Sequence, residues 1–386
     1  MKKSIVILTM LALIGQLHAK SYSSQNGFIT VVLNDNPIPG YPIAISPDQL
    51  FGLMIPDLIT QVDTMLPSSL LDSINGTLGH MADAQSASTR GLGTTYATNH
   101  ELFVLSASVN AGASTGDSSI IDIINNPAGL LPTLSPGSLV LPQLGAGIQT
   151  SIKAGLSLKI FNIKPLGFFD LSRLSVFANF FTWSSASSPV PLEIPIPAEI
   201  KTDSMGIHVQ YKIFPDASIA ASSLHWGGLD ITTGLDITSN SLIVGLDQIV
   251  PDMSGAGGIN MTMGDMSFIS QAVTVPIELS TSVRLGYILT LIAGGGVDIN
   301  MGESSFNVDP IGLTMTTPDG SQLDLGRIEF AKQRKGATFA DVRAFIGPQI
   351  NLIPLAKGKN LMSLTILASI STVNLYGVHI GFNIGF

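Results

Sequence analysis

Apolar and polar residues alternate without a break at the end of the chain, from Tyr376 to Phe386. Glycine, His379 and Asn383 fill the positions between the apolar residues. Successive side chains of a β-strand point to opposite faces. The pattern therefore predicts a strand with one apolar face and one small or polar face, long enough to cross a membrane when tilted. Every second position is apolar: Tyr376, Val378, Ile380, Phe382, Ile384 and Phe386.

The same two-residue period recurs along the chain, separated by turn residues. Gly228-Leu-Asp-Ile-Thr232 is repeated as Gly234-Leu-Asp-Ile-Thr238, and the even offset places Asp230 and Asp236 on the same face. Pro318-Asp319-Gly320 predicts a hairpin turn between two such segments, 311–317 and 322–328. Other clear segments are Glu101–Ala111, Ile148–Ile160, Met205–Ile213, Gln271–Leu289 and Met362–Ile370.

The composition indicates that the apolar faces meet lipid. The mean hydropathy is +0.42 and only 12% of residues are charged, against about 25% in an average soluble protein. Lipid offers no hydrogen-bond partner to an unpaired backbone group, so a strand-rich membrane protein must close its sheet. We expect an all-β fold: a transmembrane antiparallel β-barrel of about 12 strands, with a range of 10–14. The alternative is an amphipathic edge strand in a soluble β-sandwich.

The first residues predict export. Lys2 and Lys3 precede an apolar run, Ile5–Leu17, and a small residue, Ala19, follows it. This arrangement is typical of a cleaved signal peptide, and the run is too short to remain as a membrane anchor. We therefore expect a signal peptide at 1–19 and a mature chain that begins near Lys20.

A different spacing follows in the N-terminal region, 20–100. Between Asp48 and Met81, apolar residues recur at intervals of three and four, which predicts two short amphipathic helices broken at Pro56 or Pro67. The helices either cap the barrel or plug its lumen. The barrel itself is expected at 101–386.

The chain resembles the bacterial outer-membrane β-barrels in its alternating last strand, which ends on Phe386. The resemblance implies that Tyr376–Phe386 is an assembly signal read by the outer-membrane assembly machinery, and that outer-membrane lipids and lipopolysaccharide surround the protein. Arg90-Gly-Leu-Gly-Thr-Thr-Tyr96, followed by Asn126-Pro-Ala-Gly-Leu130, resembles an early pattern in the outer-membrane transporters of fatty acids and aromatic hydrocarbons. That second resemblance implies a plug and the passage of hydrophobic solutes.

Two functions fit these features. The first is a channel or passive transporter of small or hydrophobic solutes, whose acidic lumen favours cations or neutral solutes. The second is a structural or adhesive surface barrel with a filled lumen, which binds through loops at Pro189–Pro197 and Lys332–Lys335. Aromatic residues make up only 6% of the chain, few for the usual interfacial girdles, which suggests a homo-oligomeric ring. The lumen-facing candidates are His208, Asp230, Asp236, Glu278, Arg284 and His379.

Catalytic and metal chemistry find little support. Gly112-Ala-Ser-Thr-Gly116 matches a nucleophile elbow around Ser114, but no histidine and acid stand in a matching motif, so a hydrolase is the weakest hypothesis. We therefore expect no enzyme and no cofactor. We also expect no metal site, because histidines at metal-binding spacing and cysteines are absent from the sequence. The excess of 27 acidic over 18 basic residues argues against nucleic acid. Lys332-Gln-Arg-Lys335 is expected to be a solvated loop or a contact for anionic lipid headgroups.

Overall fold

The computed structural model describes most of the chain between Lys20 and Gly385, and all structural statements below concern these residues. The described ranges are 20–23, 27, 29–34, 68–91, 102–116, 133–135, 138–140, 144–161, 170–185, 198–220, 224–245, 259–262, 264–316, 322–354 and 360–385.

Antiparallel strands form a closed ring. The main sheet contains twelve described strands; two of them, β9 (Ala217–Ala220) and β16 (Gln333–Gly336), each pair with one neighbour only, which leaves ten in the ring. The predicted fold class is confirmed. The ring strands are β3 (Phe103–Ser114), β6 (Gly145–Ser157), β7 (Leu174–Ser184), β8 (Ala198–Phe214), β10 (Leu224–Gly245), β12 (Asp265–Leu285), β13 (Leu289–Val308), β17 (Ala340–Pro354), β18 (Asn360–Ser371) and β19 (Leu375–Gly385).

The ring closes between its first and last strands. β3 pairs with β19 in an unbroken register that runs from Val104 opposite Gly385 to Ser114 opposite Leu375. We call the pairing of β3 with β19 the seam. Each ring strand has a hydrogen-bonded neighbour on both sides, so the ring has no free edge, as a lipid environment requires.

The two faces of the ring differ as the alternation predicts. Outward side chains are apolar and exposed: Ile148, Ile152 and Phe180 are each 60% exposed. Most inward side chains are small or polar and buried, as Ser151 and Gln149 show on the inner side of the same wall. The apolar outside faces lipid and the polar inside is shielded from it.

The ring has two distinguishable ends. We call the end where β3 begins and β19 finishes the terminal end, and the opposite end the cap end. Strands are connected at the terminal end by 158–173, 215–223, 286–288 and 355–359, and at the cap end by 115–144, 185–197, 246–264, 309–339 and 372–374. The three longest connections, 115–144, 246–264 and 309–339, are all at the cap end. Phe214, Trp226 and Tyr287 lie at the terminal end, where aromatic side chains suit a lipid–water interface.

A second sheet forms at the cap end, and we call it the cap sheet. It has the order β1-β2-β15-β14-β11, so strands from the N-terminal region join a hairpin inserted between β13 and β17. The hairpin predicted around Pro318-Asp319-Gly320 forms, although its turn lies outside the described residues. The bounds are β1 (Lys20–Ser23), β2 (Ile29–Leu33), β11 (Ile259–Thr262), β14 (Ile311–Thr316) and β15 (Gln322–Phe330); a further pair is β4 (Thr133–Ser135) with β5 (Ser138–Val140).

One α-helix, α1 (Ser68–Ser88), occurs in the described part of the chain. It begins directly after Pro67, one of the two predicted break points, and extends beyond the predicted end at Met81. The first of the two predicted helices, ahead of this break, lies outside the described residues. Two short 3₁₀-helices, Leu158–Phe161 and Leu171–Arg173, follow β6 and precede β7. None of the described helices has the length and apolar character needed to cross a membrane.

Three sequence expectations about strand bounds were wrong. The strand predicted over Gln271–Leu289 ends at Leu285, because Gly286 adopts φ 62° and the chain reverses there. The strand predicted over Ile148–Ile160 begins earlier and ends at Ser157. The basic segment predicted as a loop contains β16, which pairs with β13.

An arginine placed on the lipid face should reveal the apolar band. Ile207 lies inside β8 and is 56% exposed, whereas Leu285 ends β12 at the terminal end and is 41% exposed. We expect Ile207→Arg to lower the free energy of unfolding by about 2–4 kcal/mol, and Leu285→Arg by about 0–1 kcal/mol, because the cost of a charge falls towards the interface. Urea unfolding in phospholipid vesicles, followed by tryptophan fluorescence, measures both. Equal costs at the two positions would contradict an apolar band centred on Ile207.

Candidate functional site: the filled lumen

Helix α1 packs its backbone directly on the inner wall of the ring. Gly112 of β3 and Gly147 of β6 face the helix, and a Cβ added to Gly147 would lie 2.7 Å from the carbonyl oxygen of Ala84. Gly145 faces the carbonyl group of His80 in the same way. Glycine is required at these positions because any side chain would push the helix off the wall.

Side-chain hydrogen bonds fix the helix to several other parts of the barrel. Gln85 Nε2 donates to Thr238 Oγ1 of β10 at 3.1 Å, and Asn240 Nδ2 donates to Gln85 Oε1 at 2.7 Å. Asp83 accepts the backbone N–H of Thr338, in the connection before β17, at 2.6 Å. β10 and β17 are separated in the ring by β12 and β13, so the helix is fixed to two separate parts of the barrel.

Arg90, two residues after α1, carries a positive charge into the inner wall. Its side chain is 5% exposed, and its Nε lies 3.1 Å from Asp298 Oδ2 of β13. Its Nη2 makes a second ion pair with Asp341 of β17. Asn300 Nδ2 also donates to Asp341, at 3.2 Å. Arg90 therefore joins the end of the helix to two adjacent wall strands.

Arg343 extends the same network around the wall. Its Nε lies 2.6 Å from Asp298 Oδ2, and its Nη2 pairs with Glu278 of β12. Asp298 thus lies between two arginines and serves both. Each side chain in these Arg343 pairs is 1% exposed. We call the set Arg90, Glu278, Asp298, Asp341 and Arg343 the lumen ion network.

A second polar group lies on the neighbouring strands β7, β8 and β10. His208 Nε2 and Asp236 Oδ1 are 3.0 Å apart, and Asn179 Nδ2 donates to the same carboxylate oxygen at 3.3 Å. Lys153 of β6 is also on the inner face and is 1% exposed. At the seam, His379 Nδ1 lies 2.5 Å from Asn110 Oδ1.

Apolar side chains fill part of the lumen beyond the ion network. Ile292, Phe345 and Leu367 form a buried cluster on the inner faces of β13, β17 and β18. The guanidinium of Arg343 lies over the Phe345 ring, 5.3 Å from its centroid, which favours a cation–π contact. The lumen is therefore occupied by helix, charges and apolar side chains in succession.

The six lumen-facing candidates all lie on the inner face. Each is buried, with exposures between 1% and 8%. The structure brings His208 together with Asp236 and places Glu278 in the ion network. His379 lines a small cavity together with Arg90 and Arg343, whereas Asp230 and Arg284 are on the wall outside both groups. The apolar positions from Tyr376 to Ile384 lie on the outer face, Phe386 lies outside the described residues, and the assembly signal stays a prediction.

Sequence reasoning missed Arg90, Lys153 and most of the ion network. The alternation along β17 could have identified its inward-facing residues. Asp341, Arg343 and Phe345 alternate there with Val342 and Ala344. Asp298 and Asn300 alternate in the same way on β13. Nothing local in the sequence indicates that Arg90 pairs with them.

Ser114 and a histidine do meet in the structure. His80 Nδ1 of α1 lies 3.1 Å from Ser114 Oγ. The surrounding geometry does not suit a nucleophile, because Ser114 is 1% exposed and the next backbone N–H, of Thr115, already donates to the carbonyl of Asn374. An elbow serine needs an exposed Oγ and a free N–H for the oxyanion. The contact instead fastens α1 to β3.

The described residues contain no group of three or more His, Cys, Asp or Glu side chains able to hold a metal ion. The carboxylates of the ion network are already paired with guanidinium groups. The arrangement supplies fixed charges of both signs, and their effect is to hold α1 in the lumen.

Comparison with known proteins finds one family and several similar solved structures. The sequence model of a family described as Lsa36-like matches residues 48–386. No curated protein matches the sequence. Similar solved structures include the translocator domain of the autotransporter NalP from Neisseria meningitidis, at 11% identity over 78% of this chain and 93% of that chain, with a TM-score of 0.30.

Two other similar structures name different roles. The outer-membrane protease OmpT from Escherichia coli has 6% identity over 76% of this chain and 99% of its own, with a TM-score of 0.30. The attachment invasion locus protein Ail of Yersinia pestis has 8% identity over 74% of this chain and 97% of its own, with a TM-score of 0.23. At these identities and scores, no function is transferred to this chain.

Breaking the lumen ion network should be costly. We expect Arg90→Met to lower the free energy of unfolding by about 3–5 kcal/mol, because Asp298 and Asp341 lose a buried partner. The matched control is Arg327→Met: the Arg327–Glu329 pair has side chains 56% and 40% exposed, so its loss should cost under about 1 kcal/mol. Urea unfolding in lipid vesicles compares them.

The double variant Arg90→Met with Asp341→Asn should recover part of the loss, since one unpaired carboxylate is then neutral. Equal destabilisation by Arg90→Met and Arg327→Met would show that the network does not hold the helix.

Proposed function

The chain belongs to the Lsa36-like family, and we propose that it is an outer-membrane β-barrel with a sealed lumen that binds partners at the cell surface through its cap end. The single observation that carries this proposal is the occupied lumen, in which α1 is fixed by buried ion pairs. The sealed barrel is the second of the two functions predicted from the sequence, and the occupied lumen favours it over an open channel.

The closed ring and its apolar outer face support a location in the outer membrane. A closed ring without free edges and with apolar side chains outside is suited to a bilayer. The signal peptide predicted at 1–19 and the apolar face of β19 support export and recognition by the assembly machinery. Outer-membrane lipids and lipopolysaccharide are then the immediate surroundings of the wall.

The cap sheet supports a binding role. Ring closure does not require its five strands, yet they draw on the N-terminal region and on two of the long connections. Longer connections face the outside of the cell in barrels of this kind. Lys332, Arg334 and Lys335 are exposed beside the sheet and give it a basic side in an acidic protein.

A channel for small or hydrophobic solutes is the second candidate function. The observation in its favour is the polar inner wall, which continues through every ring strand. Passage would require α1 to leave its glycine contacts and its ion pairs. A homo-oligomeric ring, suggested by the scarcity of aromatic residues, stays a prediction that crosslinking in native membranes tests.

Conductance separates the two functions. The wild-type protein, refolded and checked for heat-modifiable migration on a gel, should carry no steady current in a planar bilayer, because helix and ion pairs block the lumen. An open porin measured under the same conditions is the positive control. Regular single-channel steps from the unmodified protein would overturn the sealed barrel and favour the channel.

A further inference from the structure

The direction of helix α1 in the lumen bears on which side of the membrane the N-terminal strands occupy. Helix α1 enters the lumen at the cap end: His80 lies against Gly145, the first residue of β6, and Gly145 is at that end. Further along the helix, Ala84 lies against Gly112 and Gly147, deeper in the wall. The helix therefore runs from the cap end inward.

The end of the described helical segment lies inside the barrel. Arg90 reaches Asp298 and Asp341 on the inner wall, and Gly91 is buried. The next described residue, Leu102, lies at the opposite end, where Ser157 N–H donates to its carbonyl at 2.9 Å. The chain thus goes from inside the lumen to the terminal end between Gly91 and Leu102.

The two ends of this connection differ in depth. Gly91 follows Arg90, which pairs with the inner wall, and Leu102 joins the ring at the terminal end. Fully extended, the steps from Gly91 to Leu102 cover at most about 36–40 Å, and the hydrocarbon of a bilayer is about 30 Å thick, so this length is sufficient for a direct path between the two ends.

Ahead of the helix, the chain is at the cap end. β2 pairs with β15 from Ile29 opposite Phe330 to Leu33 opposite Gly326, and β1 pairs with β2. β15 belongs to the connection between β13 and β17, which leaves and re-enters the ring at the cap end. Lys20–Leu33 is therefore separated by the whole barrel from the start of β3.

We propose that the chain crosses the membrane once inside its own barrel, so that its N-terminal strands are displayed on the outer surface while its last strand finishes on the periplasmic side. The assignment of outside and inside rests on the proposed outer-membrane location. The crossing itself rests only on α1, the cap sheet and the seam. The surface displayed for a partner then includes Lys20–Leu33 together with β14 and β15.

Single cysteines test the crossing, because the natural chain contains none. Ser21→Cys reports on β1, Thr372→Cys on the cap-end turn, and Tyr287→Cys on the terminal-end turn; all three residues are exposed. A membrane-impermeant maleimide is applied to intact cells and, separately, to lysed cells. We expect Ser21→Cys and Thr372→Cys to be labelled at least tenfold more in intact cells than Tyr287→Cys, and all three equally after lysis.

The labelling pattern distinguishes the crossing from the orientation of the barrel and from its location in the outer membrane. Labelling of Ser21→Cys that follows Tyr287→Cys, with Thr372→Cys on the opposite side, overturns the crossing. Labelling of Tyr287→Cys alone in intact cells reverses the orientation of the barrel but keeps the crossing, since Ser21→Cys still follows Thr372→Cys. The absence of any label in intact cells, with full label after lysis, contradicts the outer-membrane location and removes the basis of the surface display.

Discussion

Closure of the sheet is the constraint on which the other features of this protein depend. A strand in lipid must find backbone partners on both sides, and the seam between β3 and β19 satisfies the last two rows of donors and acceptors. Closing ten described strands leaves a narrow interior, and a helix fits there only if its backbone approaches the wall. The glycines of β3 and β6 permit that approach. Ring size therefore explains both the glycine-rich inner faces and the small residues of α1, such as Ala84 and Ala87.

Charge complements shape inside the ring. Glu278, Asp298 and Asp341 on the wall exceed the single wall arginine that pairs with them, Arg343, and Arg90 from the helix region makes up part of the difference. A buried ion pair gains little over a well-packed apolar contact, but an unpaired buried charge is costly. Leaving the wall carboxylates unpaired when the helix is absent therefore costs more free energy than pairing them with Arg90 gains. Such an arrangement favours one position of α1 over the others.

The sequence was sufficient to predict the barrel because its signal is local. Alternation in β19 and β8, and the repeat that places Asp230 and Asp236 on one face, require only neighbouring residues. Strand ends were less predictable, since Gly286 ends β12 by its positive φ within a run of apolar residues that otherwise continues. The candidate site was harder still. Arg90 meets Asp298 and Asp341 across more than two hundred residues of sequence, and a spacing pattern contains no information on which distant strand lies opposite a helix.

The crossing of the lumen also determines the order in which the protein assembles. Once β1 and β2 have joined the cap sheet, they are too wide to pass a lumen that already holds Phe345, Leu367 and the ion network. The N-terminal region must then reach the cap end while the ring is still open. The seam joins the strand that follows this region, β3, to the last strand of the ring, β19. Pairing of those two strands encloses the segment, so closure of the ring and capture of α1 are the same event.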